Sequence, residues 1–168
     1  MISPFFRKLM LLRALDIQGG EFIIFRNNFS LLPASAIVEL RNRLKKEGKL
    51  DILYNMGEDI TNSIINYFKK YRGGKEGSFT FWLSMIELSG LGKLEIIDTK
   101  KDMAVVNCKN STIARLYGNV GEAVDELLAG VVNAYFRFWF AKPTECKEVA
   151  CLAKGDHYCQ FIVKVKQR

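Results

Sequence analysis

The sequence predicts an α/β (α+β) domain in which an antiparallel sheet of hairpins packs against several helices. Three observations predict it. Strand-like runs come in adjacent pairs, which favours hairpins over parallel crossovers. Apolar residues recur at helical spacing in several longer stretches, each closed by Gly or Pro. An apolar fraction of 49% and a charged fraction of 26% in 168 residues suit one domain with a buried core.

The opening segment sets Phe5, Phe6, Leu9, Met10, Leu12 and Leu15 at nearly helical spacing, up to the break at "QGG". Arg7, Lys8 and Arg13 interrupt its apolar residues, and no small-residue cleavage site follows, so it does not read as a signal peptide. A membrane-surface helix would carry more basic residues, and burial in a dimer or against the body is the expectation. "EFIIFRNNFSLL" reads as a hairpin turning at Asn27-Asn28. Pro33 and Ser35 open a helix that runs to Lys46 and stops at Gly48. A second helix covers Ile52 to Tyr71, with Ile60, Ile64, Ile65 and Phe68 on one face and Gly57 placed for close approach by another element. "RGGKEGS" is a flexible break without phosphate-loop spacing. "FTFWLSMIELSG" is an aromatic helix ending at Gly90. The strands "GKLEIIDT" and "DMAVVNCK" follow, with Cys108 as a small core residue at the end of the second. The longest helix is expected at 121–140, ended by Pro143, and "CKEVACLA" with "HYCQFIVKV" forms the last hairpin, within 144–168. Residues 1–168 read as one domain, with 1–32 as an N-terminal helix and hairpin suited to dimerisation.

No apolar run is long enough to cross a bilayer, and a cytoplasmic protein is expected. The net charge is +7, but its excess lies at one end: residues 1–75 carry 13 Lys/Arg against 7 Asp/Glu, and residues 76–168 carry 12 against 11. Much of it sits in "ELRNRLKKEGK", which reads as the solvated face of a helix, so nucleic acid is not the expected partner.

The chemistry concentrates in "TECKEVACLAKGDHYCQFIV", residues 144–163, which hold three of the four cysteines and the single histidine. A two-residue turn at Gly155-Asp156 would point Cys151 and Cys159 to opposite faces. An odd loop, Lys154-Gly155-Asp156, sets them directly opposed, and that is the expectation. Glu148 is three residues before Cys151 and joins the same face only if the strand bulges near Val149. Cys146 shares the parity of Glu148, whereas His157 falls at the turn and points to solvent. Metal site, reduced thiols and disulfide all remain open on spacing alone.

"EVACLAKGDHYCQF", Glu148 to Phe161, resembles the C-terminal signature of the 4-vinyl reductase domain family: a glutamate, a cysteine three further on, a Gly-Asp turn, and a cysteine leading into an apolar strand. Upstream, "GEFIIFRNNFSLLPASAIVELRNRL" is similar in pattern to the family's early hairpin and helix, and Gly130 falls in its long helix. The resemblance implies a usually dimeric α/β fold shared with trafficking-complex (TRAPP) subunits. It implies binding of small hydrophobic or aromatic molecules, as in aromatic-responsive bacterial activators. It also implies a structural zinc held by Glu148, Cys151 and Cys159. The family's fourth ligand, a cysteine early in the preceding helix, is missing here. Asp125 stands near that place, with Cys146 as the alternative.

No nucleophile–base pair or dinucleotide fingerprint is present, so no catalytic residue is assigned. The expected activity is that of a stand-alone, dimeric sensor-type domain whose output runs through a partner protein. Trp82, Tyr135, Phe81, Phe136 and Trp139 are the expected walls of the ligand site, alongside Phe79. The other classes open to the sequence are an enzyme or subunit in tetrapyrrole or aromatic metabolism, and a basic regulator binding nucleic acid through Arg41, Arg43 and Lys45.

Overall fold

The computed structural model describes residues 4–12, 14–24, 27–71 and 78–167. The chain forms two compact units, Met1–Pro33 and Ala34–Arg168. In the first, helix α1 (Pro4–Leu11) precedes an antiparallel meander of β1 (Leu15–Gln18), β2 (Glu21–Ile24) and β3 (Asn27–Phe29). Gly19 and Gly20 form the turn between β1 and β2 at φ +60° and +85°, the positive angles that a two-residue hairpin turn favours. The sequence reading missed β1, because its helical period ran on past Leu11 to the glycines. It also misplaced the next turn. Asn28 pairs with Ile23, so Asn27-Asn28 belong to β3, and the connection falls on residues 25–26, outside the described residues.

The second unit begins with α2 (Ala34–Lys46), α3 (Asp51–Tyr71) and α4 (Ser78–Leu88). Then come β4 (Lys93–Thr99), β5 (Met103–Lys109), α5 (Thr112–Tyr117), α6 (Glu126–Phe140), β6 (Thr144–Ala150) and β7 (Cys159–Val165). The four strands make one antiparallel sheet in the order β4-β5-β7-β6. Alternate positions are buried on its inner face: Ala104, Val106 and Cys108 on β5, and Cys159, Phe161 and Val163 on β7. Most of the expected break at "RGGKEGS" lies outside the described residues. Among the described residues no helix is long and apolar enough to cross a membrane.

Helix α6 packs against β6 and β7 on one side and against α3 on the other. Every residue from Leu127 to Phe136 is buried, as a helix enclosed all round requires. Two glycines allow the crossing with α3. A Cβ on Gly57 would lie 2.0 Å from the Leu127 carbonyl oxygen, and one on Gly130 would lie 1.9 Å from that of Tyr54. The close approach anticipated at Gly57 is therefore reciprocal.

Helix α6 starts at Glu126 rather than 121, which makes α3, with 21 residues, the longest helix. The residues before it are pulled out of helical geometry: Gly121 has φ +73°, and the Val120 and Gly121 amides donate to the Ala153 carbonyl. The short helix α5, absent from the sequence reading, is capped by the Ser111 hydroxyl, which accepts from the Ala114 amide at 3.2 Å.

The basic stretch on α2 differs from expectation at one residue. Arg41 is only 2% exposed and belongs to the interior rather than to a solvated face. Burial opposes its charge, but hydrogen bonding to Glu126 keeps the guanidinium protonated and raises its pKa. It is therefore not presented to phosphates.

Candidate metal centre

Four side chains converge beneath the C-terminal hairpin: Asp125, Glu148, Cys151 and Cys159, with one donor atom from each lying within 4.8 Å of all the others. Three separate local features bring them together. Asp125 is the N-cap residue of α6, yet its carboxylate makes no capping bond to that helix. Instead Oδ1 accepts from the Ser111 hydroxyl at 2.8 Å, and the Asp125 amide donates to Glu148 Oε2 at 3.1 Å.

Glu148 reaches the site through an irregularity in β6. Glu148 pairs with Phe161 and Ala150 with Gln160, so Val149 is an extra residue on that strand. The bulge resets the alternation and turns Glu148 and Cys151 to the same inner face, as the spacing required. Cys151 and Cys159 then face each other with their sulfurs 3.8 Å apart. The expected parity holds, but the three-residue loop does not. The connection runs from Cys151 to Tyr158 through a single 3₁₀ turn, Leu152–Lys154, and Gly155 at φ +94°. Asp156 locks it, accepting from the Cys151 amide at 2.8 Å while its own amide donates back to the Cys151 carbonyl at 3.2 Å.

The electrostatics of the cluster are those of anions kept from water. Burial pushes the Asp125 carboxyl up to about 6 and, with Asp125 close by, the Glu148 carboxyl up to about 9. Between the thiols, Cys159 donates to Cys151, so the negative charge settles on Cys151, whose pKa falls to about 5, while that of Cys159 rises. The Leu152 amide also donates to Cys159 Sγ at 3.3 Å. Asp125 Oδ2 and Glu148 Oε1 are buried without a hydrogen-bond partner. Two unpartnered carboxylate oxygens beside two opposed thiols fit a divalent cation: zinc takes sulfur at about 2.3 Å and carboxylate oxygen at about 2.0–2.2 Å in a tetrahedron.

Of the two candidates for the fourth position, the structure brings Asp125 into the group. Cys146 is buried on the same strand face but lies beside Tyr54 of α3, where burial raises its thiol pKa. His157 is exposed. Cys108 is fully buried opposite Cys159 in the β5–β7 register, a core thiol outside the group. Ser111 and Arg41 were not singled out for the site in the sequence. The Ser-Thr pair after a strand is a helix-cap signal that could have drawn attention to Ser111. Nothing local marks Arg41.

The candidate ligand-binding aromatics occupy the α4–α6 side of the unit. Trp82 and Tyr135 are buried and stacked, with ring centroids 4.1 Å apart. Phe79 contacts Tyr135, Phe136 and Trp139 at 5.2, 6.1 and 4.0 Å. Phe81 stands apart from this group, against Tyr67 and Phe68 of α3. The Trp82 indole N–H points to the Thr61 hydroxyl at 3.4 Å, and that hydroxyl donates to the Val131 carbonyl. A groove of about 620 Å³ runs along the outer side of α3 past Ile52, Met56 and Ile60, and none of the five candidates lines it.

Comparison with known proteins gives three findings. Residues 104–165, a window containing all four clustered side chains, match the vinyl-4-reductase domain. An uncharacterized protein of Methanocaldococcus jannaschii is 22% identical over 117 residues, a stretch covering 70% of this chain and 65% of that protein, just under two thirds of its length. Among solved structures, the phenol-responsive sensory domain of the transcription activator PoxR, with phenol, superposes with a TM-score of 0.79 at 17% identity, covering 98% of this chain and 92% of the other. A vinyl-4-reductase family protein, also from M. jannaschii, gives 0.59 at 19% identity, covering 83% and 85%.

Proposed function

Because the chain carries a vinyl-4-reductase domain in residues 104–165, we propose that it is a sensor-type domain that binds a small hydrophobic or aromatic molecule and is fastened by zinc at Asp125, Glu148, Cys151 and Cys159. The observation that carries the sensor reading is the likeness, over nearly the whole of both chains, to a domain that responds to phenol. The chain's own residues support it. Trp82, Tyr135, Phe136 and Trp139 offer aromatic faces around Phe79, and the Trp82 N–H is already directed to Thr61, so the surface available to a ligand is mainly apolar.

Zinc would supply a structural cross-link between the last hairpin and the start of α6, with no open coordination position needed. Cys151 and Cys159 would hold it from the hairpin, Glu148 from the bulged strand, and Asp125 from the helix cap. Tyr135 lies ten residues along α6 from Asp125, a rise of about 15 Å. One rigid helix thus joins the metal centre to the aromatic cluster. A change in ring packing around Tyr135 would be felt along that helix.

The reading includes a homodimer, supported by the apolar surface of the first unit: Leu11 is 84% exposed and Leu31 78%. Output would pass to a partner regulatory protein.

Trp82 and Trp139 are the two tryptophans of the chain and both border Phe79 or Tyr135, so intrinsic fluorescence reports the cluster directly. Titration with phenol and a series of larger apolar aromatics is expected to shift or quench emission saturably for at least one of them, with matching heat in calorimetry. Unchanged emission and no heat across the series would contradict the ligand-binding reading.

A further inference from the structure

Asp125 poses a problem that its own helix does not solve. An aspartate at an N-cap ordinarily fixes itself by accepting from an amide in the first helical turn. Here it makes no such bond, and its backbone angles, φ −101° and ψ 44°, are not those of an extended cap residue. Its carboxylate is turned toward Glu148 and the two thiols. Something outside the helix must hold the residue in that attitude.

Arg41 of α2 is placed to do so. Its Nε and one terminal nitrogen donate to the two oxygens of Glu126, both at 2.7 Å. The same terminal nitrogen also donates to the Ala123 carbonyl at 3.0 Å, and the other donates to Glu122 at 3.3 Å. All these contacts fall on residues 122, 123 and 126, which bracket Asp125. The guanidinium lies 5.2 Å over the Tyr117 ring, and the Tyr117 hydroxyl donates back to Asn42 of α2 at 2.7 Å. The planar fork of an arginine suits this task; a lysine offers only a point charge.

We propose that Arg41 is a positioning residue for the metal centre: by clasping Glu122, Ala123 and Glu126 it fixes the segment that presents Asp125, so that the docking of α2 and the binding of metal are linked. The inference rests on the metal reading of the Asp125–Glu148–Cys151–Cys159 cluster. By reciprocity, metal that orders Asp125 also tightens α2.

The test compares zinc affinity, by competition with a chromophoric chelator, for the full-length wild type, Arg41→Gln, Arg41→Lys and Leu44→Ala. Leu44 is buried on the same helix but touches nothing in the 122–126 segment through hydrogen bonds. Partners outside the ligand shell typically alter metal affinity by about 10–100-fold. Arg41→Gln is expected to lose about tenfold at the low end of that range, Arg41→Lys to lose less, and Leu44→Ala to lower the melting temperature with zinc affinity kept. Hydrogen exchange on the wild type needs no variant: zinc is expected to slow exchange in residues 34–46 more than in α4. Wild-type affinity in Arg41→Gln, or no zinc-dependent slowing in α2, would overturn the positioning role alone. A wild type that binds no zinc would overturn the metal reading and this inference together.

Discussion

Glu148 shows how far one side chain can be driven by its surroundings. Its carboxyl shares an enclosed space with Asp125, and burial raises both, to about 9 and about 6 against ordinary values of 4.5 and 3.8. A carboxyl whose folded pKa is raised contributes stability that is complete below the unfolded pKa and is lost as pH rises through the folded one. In the presence of chelator, the protein is therefore expected to weaken from about pH 4 to pH 9, first as Asp125 ionises and then as Glu148 does. Glu148→Gln should flatten the part above about pH 6. Denaturant midpoints measured across that range check this; a midpoint that climbs with pH in the wild type would contradict it. Zinc should reverse the slope, because both carboxylates must be ionised to bind it. At this scale the site was partly legible. The paired thiols and Glu148 stand out by spacing. Asp125 was reachable only by asking what stands where the family's fourth cysteine would be, and the burial of Arg41 comes from partners some 80 residues away in the chain.

At the scale of elements, the packing of α3 on α6 turns on two glycines. Because a Cβ on Gly130 would sit against the Tyr54 backbone, no side-chain movement can make room, and the helices must separate. Gly130→Ala should cost roughly 1–3 kcal/mol or more, the range for overpacked cores, read as a lower denaturant midpoint. Little or no loss would show that the helices are not held this closely. The β6 bulge makes a sharper test. Deleting Val149 restores plain alternation and turns Glu148 to the outer face. The deletion should fold and lose most of its metal affinity, whereas retention of wild-type affinity would show that Glu148 is not a ligand. Helices and strands of the second unit were legible because their apolar periods are long. The bulge was legible as a condition, since Glu148 and Cys151 can share a face only with one extra residue between them. The seven residues between Cys151 and Cys159 were not, because their path depends on the backbone bonds of Asp156 and on Val120 and Gly121 donating to Ala153. In the first unit, a helical period that happened to continue through Leu15 hid a strand.

For the whole molecule, the account joins two regions through one helix: a cluster of anionic donors at the start of α6 and an aromatic cluster near its end. Each has a separate probe, metal content for one and tryptophan emission for the other. The metal centre is the part on which the positioning role of Arg41, the reversal of the pH slope and the bulge test all depend. Native mass spectrometry of untagged protein, compared with the denatured mass, tests it most directly. The account predicts one zinc per chain, lost in Asp125→Ala and kept in Cys146→Ala. A metal-free chain whose Cys151 and Cys159 remain reduced, or zinc that survives Asp125→Ala and leaves with Cys146→Ala, would contradict it.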